Sequence, residues 1–275
     1  MVINKKRNVF FFAVFLFLGG TVVFAQKAEK RFWNGKRAAV VLTYDDALNS
    51  QLDHVIPLLD SLGLKATFYL PGSAKTLRTR LDAWRKAAAE GHELGNHTLF
   101  HPCFGRSKDR KWVKPEYDLD NYTLRRIHDE ILAENTLLYA IDGKNKRTYA
   151  YPCGDETLAG KNVLAGIRKD FVAARGVHQG FNLPGKISVF DLKIYGANRV
   201  TGDELIRQVK IAEKQQALLI FLFHGVGGRH PINVTPGAHR KLVLYLKKHE
   251  NELWVAPLIR VMNFYLQQSV PKINH

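Results

Sequence analysis

The sequence predicts an α/β fold, namely a distorted (β/α) barrel of seven or eight mostly parallel strands in a single domain. Short apolar segments alternate with helical patterns along the chain, as in a parallel sheet assembled from βα units. Polar side chains that can bind a metal or transfer protons directly follow several of these apolar segments. In a βα barrel the carboxyl ends of the strands share one face, so we expect these side chains to meet there.

The first 25 residues have the pattern of a secretory signal peptide. Lys5-Lys6-Arg7 precedes an apolar run over 9–18, and Val23-Phe24-Ala25 suits cleavage after Ala25. An uncleaved membrane anchor is the alternative, but the uncharged stretch of 17 residues lies at the short limit for crossing a bilayer. We therefore expect an exported protein, periplasmic or secreted, with no membrane span after cleavage.

The rest of the 275-residue chain suits one large domain, since no linker, repeat or low-complexity tract divides it. We expect an N-terminal segment over 26–36, the domain over 37–260 and a C-terminal tail over 261–275. Cleavage removes three basic residues, so the net charge falls from +16 to +13, which favours acidic partners. For an exported protein we expect these partners to be anionic polysaccharides or envelope polymers rather than nucleic acid, because the sequence lacks the basic and aromatic patterns of nucleic-acid readout. We also expect a monomer.

The first predicted strand is a continuous apolar run, Ala38 to Leu42, followed closely by Asp45 and Asp46. Its lack of alternation favours a central strand covered on both faces. Successive side chains of an extended chain point in opposite directions, so the two carboxylates are expected to have different roles. One would bind a metal and the other would transfer protons. The alternative is a solvated aspartate beside an aspartate that caps a helix.

The later elements follow in the order expected of βα units. Further strands are predicted at 65–70, 92–96, 147–151, 171–174, 192–200 and 217–223, with 254–259 as a candidate eighth strand. Helices are predicted at 48–62, 81–90 and 119–140. Thr201 and Glu204 form a capping-box pattern for a helix that reaches Gln216. Thr235 precedes a proline suited to the first position of another helix.

Three histidines follow predicted strands: His97, His101 and His224. His97 and His101 are four residues apart, so on one helical turn both imidazoles would face the same cation. Together with one carboxylate they would form a His₂Asp site with open coordination positions, as in catalytic zinc sites. The alternatives are two unrelated histidines and, for His224, a hydrogen-bonded histidine of the core.

Taken together, these motifs resemble the polysaccharide deacetylase family, the NodB-homology domain of carbohydrate esterase family 4. That family has T-F-D-D-G, H-S/T-x-x-H and L-x-H at the places of Thr43-Tyr44-Asp45-Asp46-Ala47, His97-Thr98-Leu99-Phe100-His101 and Leu222-Phe223-His224. The resemblance runs from about Arg37 to about Pro257, nearly the whole chain after the signal peptide. It implies a distorted (β/α) barrel that hydrolyses acetyl groups on a carbohydrate.

The resemblance also implies a role for each matched residue. A divalent metal, usually zinc, with cobalt or another divalent ion as alternatives, would be held by Asp46, His97 and His101. Asp45 would act as the general base toward the metal-activated water, and His224 would protonate the leaving group. The backbone N–H of Cys153 would donate to the oxyanion, and Leu222 would line the pocket for the acetyl methyl group.

The sequence departs from the family pattern at several positions. Ala47 replaces a glycine, which is a mild change if its φ is negative. Ala150 stands where the family has an arginine that pairs with the general base. We predict that Arg199 takes over this role from the end of the 192–200 strand. Asp191 is the nearest candidate for a carboxylate that orients His224, with an exposed loop aspartate as the alternative.

The chain has two cysteines, Cys103 and Cys153, and we expect them to form a disulfide. The expected compartment is oxidising, and each cysteine lies within two residues of a candidate site element. Such a bridge would stabilise the fold by about 4 kcal/mol through the loop it closes. Two buried free thiols are the alternative.

The function predicted from these residues is a metal-dependent deacetylase acting on N- or O-linked acetyl groups of a polysaccharide or oligosaccharide. The alternative is a catalytically impaired carbohydrate-binding relative of the same fold. A serine esterase is disfavoured because no G-x-S-x-G motif occurs. A phosphoester hydrolase would more often use two metals and more carboxylates. Trp112 and Tyr117 are candidates for a wall of the substrate cleft.

Overall fold

A computed structural model of the chain describes residues 1–2, 32–106, 108–228 and 230–269. The predicted signal-peptide cleavage site lies outside the described residues. The described residues from 32 onward form one compact unit. Across the described ranges, no helix combines the length and the apolar character needed to cross a membrane.

Seven parallel strands form a closed barrel, and an eighth strand is added outside it. In chain order the strands are β1 (Ala38–Asp45), β2 (Thr67–Leu70), β3 (Glu93–Asn96), β4 (Arg147–Ala150), β5 (Phe171–Gln179), β6 (Leu192–Gly196), β7 (Leu218–Phe223) and β8 (Leu253–Val255). β1 to β7 pair in sequence order, and β7 pairs back with β1 from Ala39↔Leu218 to Tyr44↔Phe223. The predicted barrel of seven or eight parallel strands is therefore confirmed.

The eighth strand fills a gap that the stagger of the barrel leaves beside β1. The carboxyl half of β1 pairs with β2, from Thr43↔Thr67 onward. Its amino half pairs on the same edge with β8, from Ala38↔Leu253 to Val40↔Val255. Every residue of β1 is buried, as the continuous apolar run predicted.

Helices cover the outside of the barrel. A π-helical turn (Gln51–Val55) leads into α1 (Ile56–Ser61), followed by α2 (Lys75–Thr79), α3 (Leu81–Ala89), α4 (Leu124–Asp142), α5 (Gly202–Gln215), α6 (Pro236–Lys248) and α7 (Leu258–Ser269). Both predicted N-caps are present: Thr201 forms a capping box with Glu204, and the hydroxyl of Thr235 accepts from the N–H of Ala238. These caps satisfy N–H groups that a helix start otherwise leaves unpaired.

α7 occupies residues that the sequence pattern assigned to a strand end and a tail. Its buried side chains Val261 and Met262 belong to the same apolar cluster as Ala39 and Val41 of β1. The N–H of Leu258 donates to the hydroxyl of Thr67 at the start of β2 (2.8 Å). α7 therefore packs across the amino ends of the barrel strands, and the folded domain continues past residue 260.

Alternate residues of β1 face different cores. Val40, Leu42 and Tyr44 pack with the apolar faces of the surrounding helices, whereas Ala39 and Val41 face the barrel interior. The period-two geometry of a strand places Asp45 on the inward face as well. Asp45 consequently lies inside the carboxyl end of the barrel.

Two strand boundaries differ from prediction in a way that bears on the site. β5 continues to Gln179 rather than stopping at residue 174, so Arg175 lies within a strand. β6 ends at Gly196 rather than residue 200, which leaves Arg199 in the following loop with φ of 54°.

Candidate active site

The turn after β1 separates the two adjacent carboxylates. Asp45 is the last residue of the strand and is 3% exposed, whereas Asp46 and Ala47 have left-handed φ values of 75° and 51°. The reversal directs Asp46 toward the mouth of the barrel. The condition under which alanine would be a mild change at 47, a negative φ, is not met, because the backbone adopts a conformation there that favours glycine.

The three predicted metal-binding side chains converge at this mouth. Nε2 of His97 lies 3.7 Å from Oδ1 of Asp46, and Nε2 of His101 lies 3.5 Å from the same oxygen. One ligand atom from each of the three residues lies within 4.8 Å of the others. The histidines do not share a helical turn as expected. They meet across a loop in which Thr98 and His101 have positive φ, closed by a hydrogen bond from the N–H of His101 to the hydroxyl of Thr98 (2.9 Å).

The surroundings of His97 prepare it to bind a cation. Its Nδ1 lies 2.8 Å from the carbonyl oxygen of Ala150, to which it donates, so the lone pair on Nε2 faces Asp46. Burial lowers the pKa of His97 to about 4, which keeps the imidazole neutral near pH 7. Two imidazoles and one carboxylate with room for further ligands are the donor set of a catalytic divalent-metal site, so these residues fit such an ion.

Asp45 is held by an arginine that the sequence pattern did not identify. Nη2 of Arg175 donates to Oδ1 of Asp45, and Oδ2 of Asp45 lies 3.7 Å from Nε2 of His97. Burial alone would raise the pKa of Asp45, but the nearby Arg175, His97 and His224 together lower it below its usual value. The carboxylate is therefore ionised and able to accept a proton.

The prediction that Arg199 would pair with Asp45 is wrong. Arg199 lines a separate surface groove together with Asp203 and Lys241, beyond the shortened end of β6. Arg175, in contrast, is fully buried and lies beside Ala150 in the pairing of β4 with β5. A local pattern could not reveal it, because Arg175 lay just past the predicted end of its strand.

Two histidines from the loop after β7 flank the other oxygen of Asp46. Nε2 of His224 is 3.8 Å and Nε2 of His230 is 3.4 Å from Oδ2 of Asp46. Their rings stack with centroids 4.9 Å apart and an angle of 7° between planes. Burial lowers the pKa of His224, while Asp45 and Asp46 oppose that shift.

Asp191 does not orient His224. Its Oδ1 lies 2.8 Å from Nδ1 of the exposed His178, with which it forms a rim ion pair. Nδ1 of His224 is buried and has no hydrogen-bond partner among the described residues. The ring of His224 is therefore placed by packing, including its stack with His230, rather than by a carboxylate.

The two cysteines form a disulfide beside the site, with Cα atoms 5.9 Å apart. The bridge joins the loop that carries His101 to the turn after β4. Cys153 has a left-handed φ of 55°, and its carbonyl accepts a hydrogen bond from Nη2 of Arg110 (2.9 Å). Nη1 of Arg110 also donates to Asp155 (2.6 Å), so the arginine fixes the turn in addition to the bridge.

A cavity of about 700 Å³ opens above these residues. Its apolar lining includes Leu222 and three side chains that remain markedly exposed: Trp112 (60%), Val177 (42%) and Ile232 (36%). Tyr117 does not line the cavity, since its ring stacks on Phe100 (5.5 Å between centroids). An open cleft with an exposed indole beside a cation site is suited to the apolar face of a sugar ring.

Comparison with known proteins gives this arrangement a family. The polysaccharide deacetylase family matches residues 34–169, a segment that includes β1 to β4 and the residues Asp45, Asp46, His97 and His101. The chain belongs to the polysaccharide deacetylase family. A gellan lyase from a Bacillus species is 31% identical over 150 residues, which cover 54% of this chain and 5% of the lyase.

Other relatives of this deacetylase-family chain agree with the assignment. The peptidoglycan-N-acetylmuramic acid deacetylase PdaA of Bacillus subtilis is 27% identical over 120 residues, covering 43% of this chain and 39% of PdaA. The chain thus spans well under half the length of these curated relatives. A polysaccharide deacetylase structure from Mycobacterium smegmatis, described as putative, has a TM-score of 0.59 at 15% identity and covers 86% of this chain and 92% of its own.

The same fold also occurs in a family member described as a pseudoenzyme. The structure of a mutant of that protein with restored activity has a TM-score of 0.51 at 16% identity, covering 82% of this chain and 67% of its own. The deacetylase-family barrel therefore occurs with and without activity. Whether such a barrel is active depends on the side chains at its mouth. Arg175 and His224 lie beyond the matched segment.

Proposed function

We propose that the protein is a divalent-metal-dependent deacetylase that removes N- or O-linked acetyl groups from a polysaccharide or oligosaccharide. The observation that supports this most strongly is the ionised, arginine-paired Asp45 directly beside the Asp46, His97 and His101 cluster. A carboxylate poised for proton transfer next to a cation site is what acyl hydrolysis requires. Zinc suits the donor set best, with cobalt or another divalent ion as an alternative.

Asp46, His97 and His101 would hold the ion, which when bound polarises the acyl carbonyl and lowers the pKa of water. Asp45 takes the proton of the attacking water, because its Oδ2 faces the cluster while Oδ1 is bound to Arg175. The low pKa of Asp45 keeps the base available over the neutral pH range.

The remaining roles fall to residues on the other side of the cleft. His224 gives a proton to the departing amine or alcohol, since its ring faces the cavity near Asp45 and Asp46. The N–H of Cys153 donates to the oxyanion from the turn that the disulfide and Arg110 fix. Leu222 contacts the acetyl methyl group from β7.

The proposed substrate is an acetylated glycan outside the cytoplasm. The open cleft admits a polymer segment, and Trp112 offers a stacking surface at its edge. The signal-peptide pattern supports a location in the periplasm or the surrounding medium, where such glycans occur, and the predicted charge of +13 after cleavage favours acidic polymers.

Acetate release from a panel of glycans tests the proposal. Peptidoglycan, chitin-like oligomers and acetylated xylan should be compared with purified protein and defined metal. We expect activity on at least one of them, loss of activity after chelation, and recovery with zinc or cobalt.

The double variant His97→Ala/His101→Ala is the matched test of the metal site. We expect it to bind no metal and to release no acetate, because two of three ligands are gone. Full acetate release by this variant in verified metal-free form would refute metal dependence.

A catalytically impaired carbohydrate-binding protein is the second candidate, favoured by the loss of the family arginine at Ala150 and by the existence of a pseudoenzyme of the same fold. It predicts glycan binding without acetate release from every member of the panel.

A further inference from the structure

The disulfide places two sulfur atoms beside the ring nitrogen of His101 that does not face Asp46. Sγ of Cys103 lies 3.6 Å from Nδ1 of His101, whereas Nε2 of the same ring lies 3.5 Å from Oδ1 of Asp46. One ligand atom each of His101, Cys103 and Cys153 lies within 4.8 Å of the others. We propose that these three residues form a second metal site, for a thiophilic divalent ion such as zinc, that opens when the disulfide is reduced.

The spacing of these atoms matches a zinc site with nitrogen and sulfur ligands. Tetrahedral zinc, at about 2.1 Å from nitrogen and about 2.3 Å from sulfur, separates two such ligand atoms by about 3.6 Å. Nδ1 of His101 and Sγ of Cys103 already have that separation. Two thiolates on one zinc lie about 3.8 Å apart, which side-chain rotation provides from Cα atoms 5.9 Å apart. Cys153 lines the cavity, so water can reach the fourth position.

The hydrogen bonds of the two histidines in the metal-binding cluster differ in a way that favours this site. A histidine that binds a metal through one nitrogen usually donates its other N–H to an oxygen. His97 does so, from Nδ1 to the carbonyl of Ala150 at 2.8 Å. Among the described residues no oxygen is hydrogen-bonded to Nδ1 of His101, which faces Sγ of Cys103 instead. This nitrogen of His101 is therefore available to a second ion.

Reduction converts the bridge from a poor ligand into two good ones. A dithiol, free or in a thioredoxin-type protein, exchanges with the bridge: its two sulfurs are oxidised to a disulfide, and Cys103 and Cys153 become thiols. The thiolate is the form that binds metal, so each thiol releases its proton to solvent as the ion binds. Two thiolates and an imidazole favour zinc over magnesium or calcium.

The two sites exclude each other because they share one imidazole. A neutral imidazole has a lone pair on one nitrogen and a proton on the other. When zinc binds Nδ1 of His101, the proton lies on Nε2, which then cannot bind an ion together with Asp46 and His97. Reduction in the presence of zinc therefore removes a ligand from the cluster and stops acetate release. This last consequence rests on the proposed function, whereas the second site itself does not.

Cobalt spectroscopy of the full-length protein tests the site without turnover. We expect cobalt to give a thiolate-to-metal charge-transfer band after reduction with a phosphine and none before it, and zinc to displace the cobalt. Cys103→Ser/Cys153→Ser is the matched control, since it lacks both the bridge and the thiols, and it should show no band in either state. Reduced His101→Ala should bind cobalt at least about tenfold more weakly than reduced wild type, because it keeps the thiols but lacks the imidazole.

A folded, reduced wild-type protein without the band would overturn the proposal, as would equal cobalt affinity in reduced His101→Ala. Reduction can also unfold the protein, since it removes the cross-link. In that case zinc should restore the near-UV circular dichroism of reduced wild type at a concentration at least about tenfold below that needed by the double serine variant, because metal binding supplies folding free energy. An equal zinc requirement would also overturn the site.

Acetate release tests the exclusion of one site by the other. With zinc present, reduction should lower acetate release by wild type at least about tenfold, whereas the double serine variant should have the same rate with and without reductant. Equal effects of the reductant on both proteins would refute the exclusion. If oxidised wild type releases no acetate from any substrate, the proposed function fails, and the cobalt measurements still decide the second site.

Discussion

At the scale of single residues, the two adjacent carboxylates have separate surroundings because the backbone reverses between them. Asp45 ends an extended strand and points into the barrel toward Arg175, whereas the left-handed φ of Asp46 turns that side chain to the histidines. Asp45 thus pairs with a guanidinium, whereas the adjacent Asp46 faces imidazoles. Their substitutions should have different consequences.

We expect Asp45→Asn to retain metal and to lose at least about 100-fold in kcat, because an amide cannot accept the proton. Asp46→Asn should instead lose metal affinity, since it removes the anionic ligand of the cluster. Metal content by mass spectrometry and steady-state acetate release measure the two effects. Equal metal loss in both variants would contradict the division of roles.

Sequence patterns identified the site residues that directly follow a strand. They missed residues that reach the site only through the pairing of neighbouring strands. Asp45 and Asp46 could be identified because they follow an apolar run, and His97 because it directly follows a predicted strand. Arg175 could not, since its closeness to Asp45 arises from strand pairing around the barrel, which no local motif specifies. The same limit explains the error at Arg199, whose strand ends three residues before it.

At the scale of elements, α4 places a buried acid behind the loop that carries the metal-binding histidines. Glu134 is fully buried, and its carboxylate lies so close to the backbone of Gly72 that there is no room for a Cβ at that position. The N–H of Gly72 donates to the carbonyl of Thr98 in that loop (3.1 Å). Burial raises the pKa of Glu134 to about 9, so the side chain is neutral at pH 7.

The raised pKa makes stability depend on pH in a defined direction. The folded state binds the Glu134 proton more tightly than the unfolded chain does. The stabilisation of the folded state by this proton is complete below about pH 4 and is lost progressively up to about pH 9. We expect Glu134→Gln to raise the melting temperature most at pH 8 to 9, since the neutral amide needs no proton, and least at pH 4.

Melting curves across this pH range, with the exposed Asp129→Asn on the same helix as control, measure the effect. Parallel pH profiles for wild type and Glu134→Gln would contradict it.

At the scale of the whole molecule, the alternation of apolar and helical segments along the sequence predicted the barrel well. Buried parallel strands have continuous apolar sequences, which are easy to recognise. The end of the chain was harder to predict. Residues 254–259 look like a strand by composition, yet β8 stops at Val255 and α7 begins at Leu258. Packing against the amino end of the barrel decides that boundary, and such a contact has no local signature.

The disulfide is the covalent link between two site loops that are distant in sequence. We expect Cys103→Ser/Cys153→Ser to lower the free energy of unfolding by up to about 4 kcal/mol, because the unfolded chain gains the freedom that the closed loop removes. Denaturant unfolding measures the change. Thiol titration of unreduced, denatured wild-type protein should find no free thiol, and two free thiols would rule out the bridge.

The position of β1 also bears on when the protein can fold. β1 pairs with β7 and β8, and Nε1 of Trp33 donates to the carbonyl of Gln216 (2.8 Å), so the earliest part of the domain to be synthesised packs against some of the latest. Contacts this far apart in sequence form slowly, and only after nearly the whole chain is available. We therefore expect the nascent domain to remain unfolded until β7 and β8 have been synthesised.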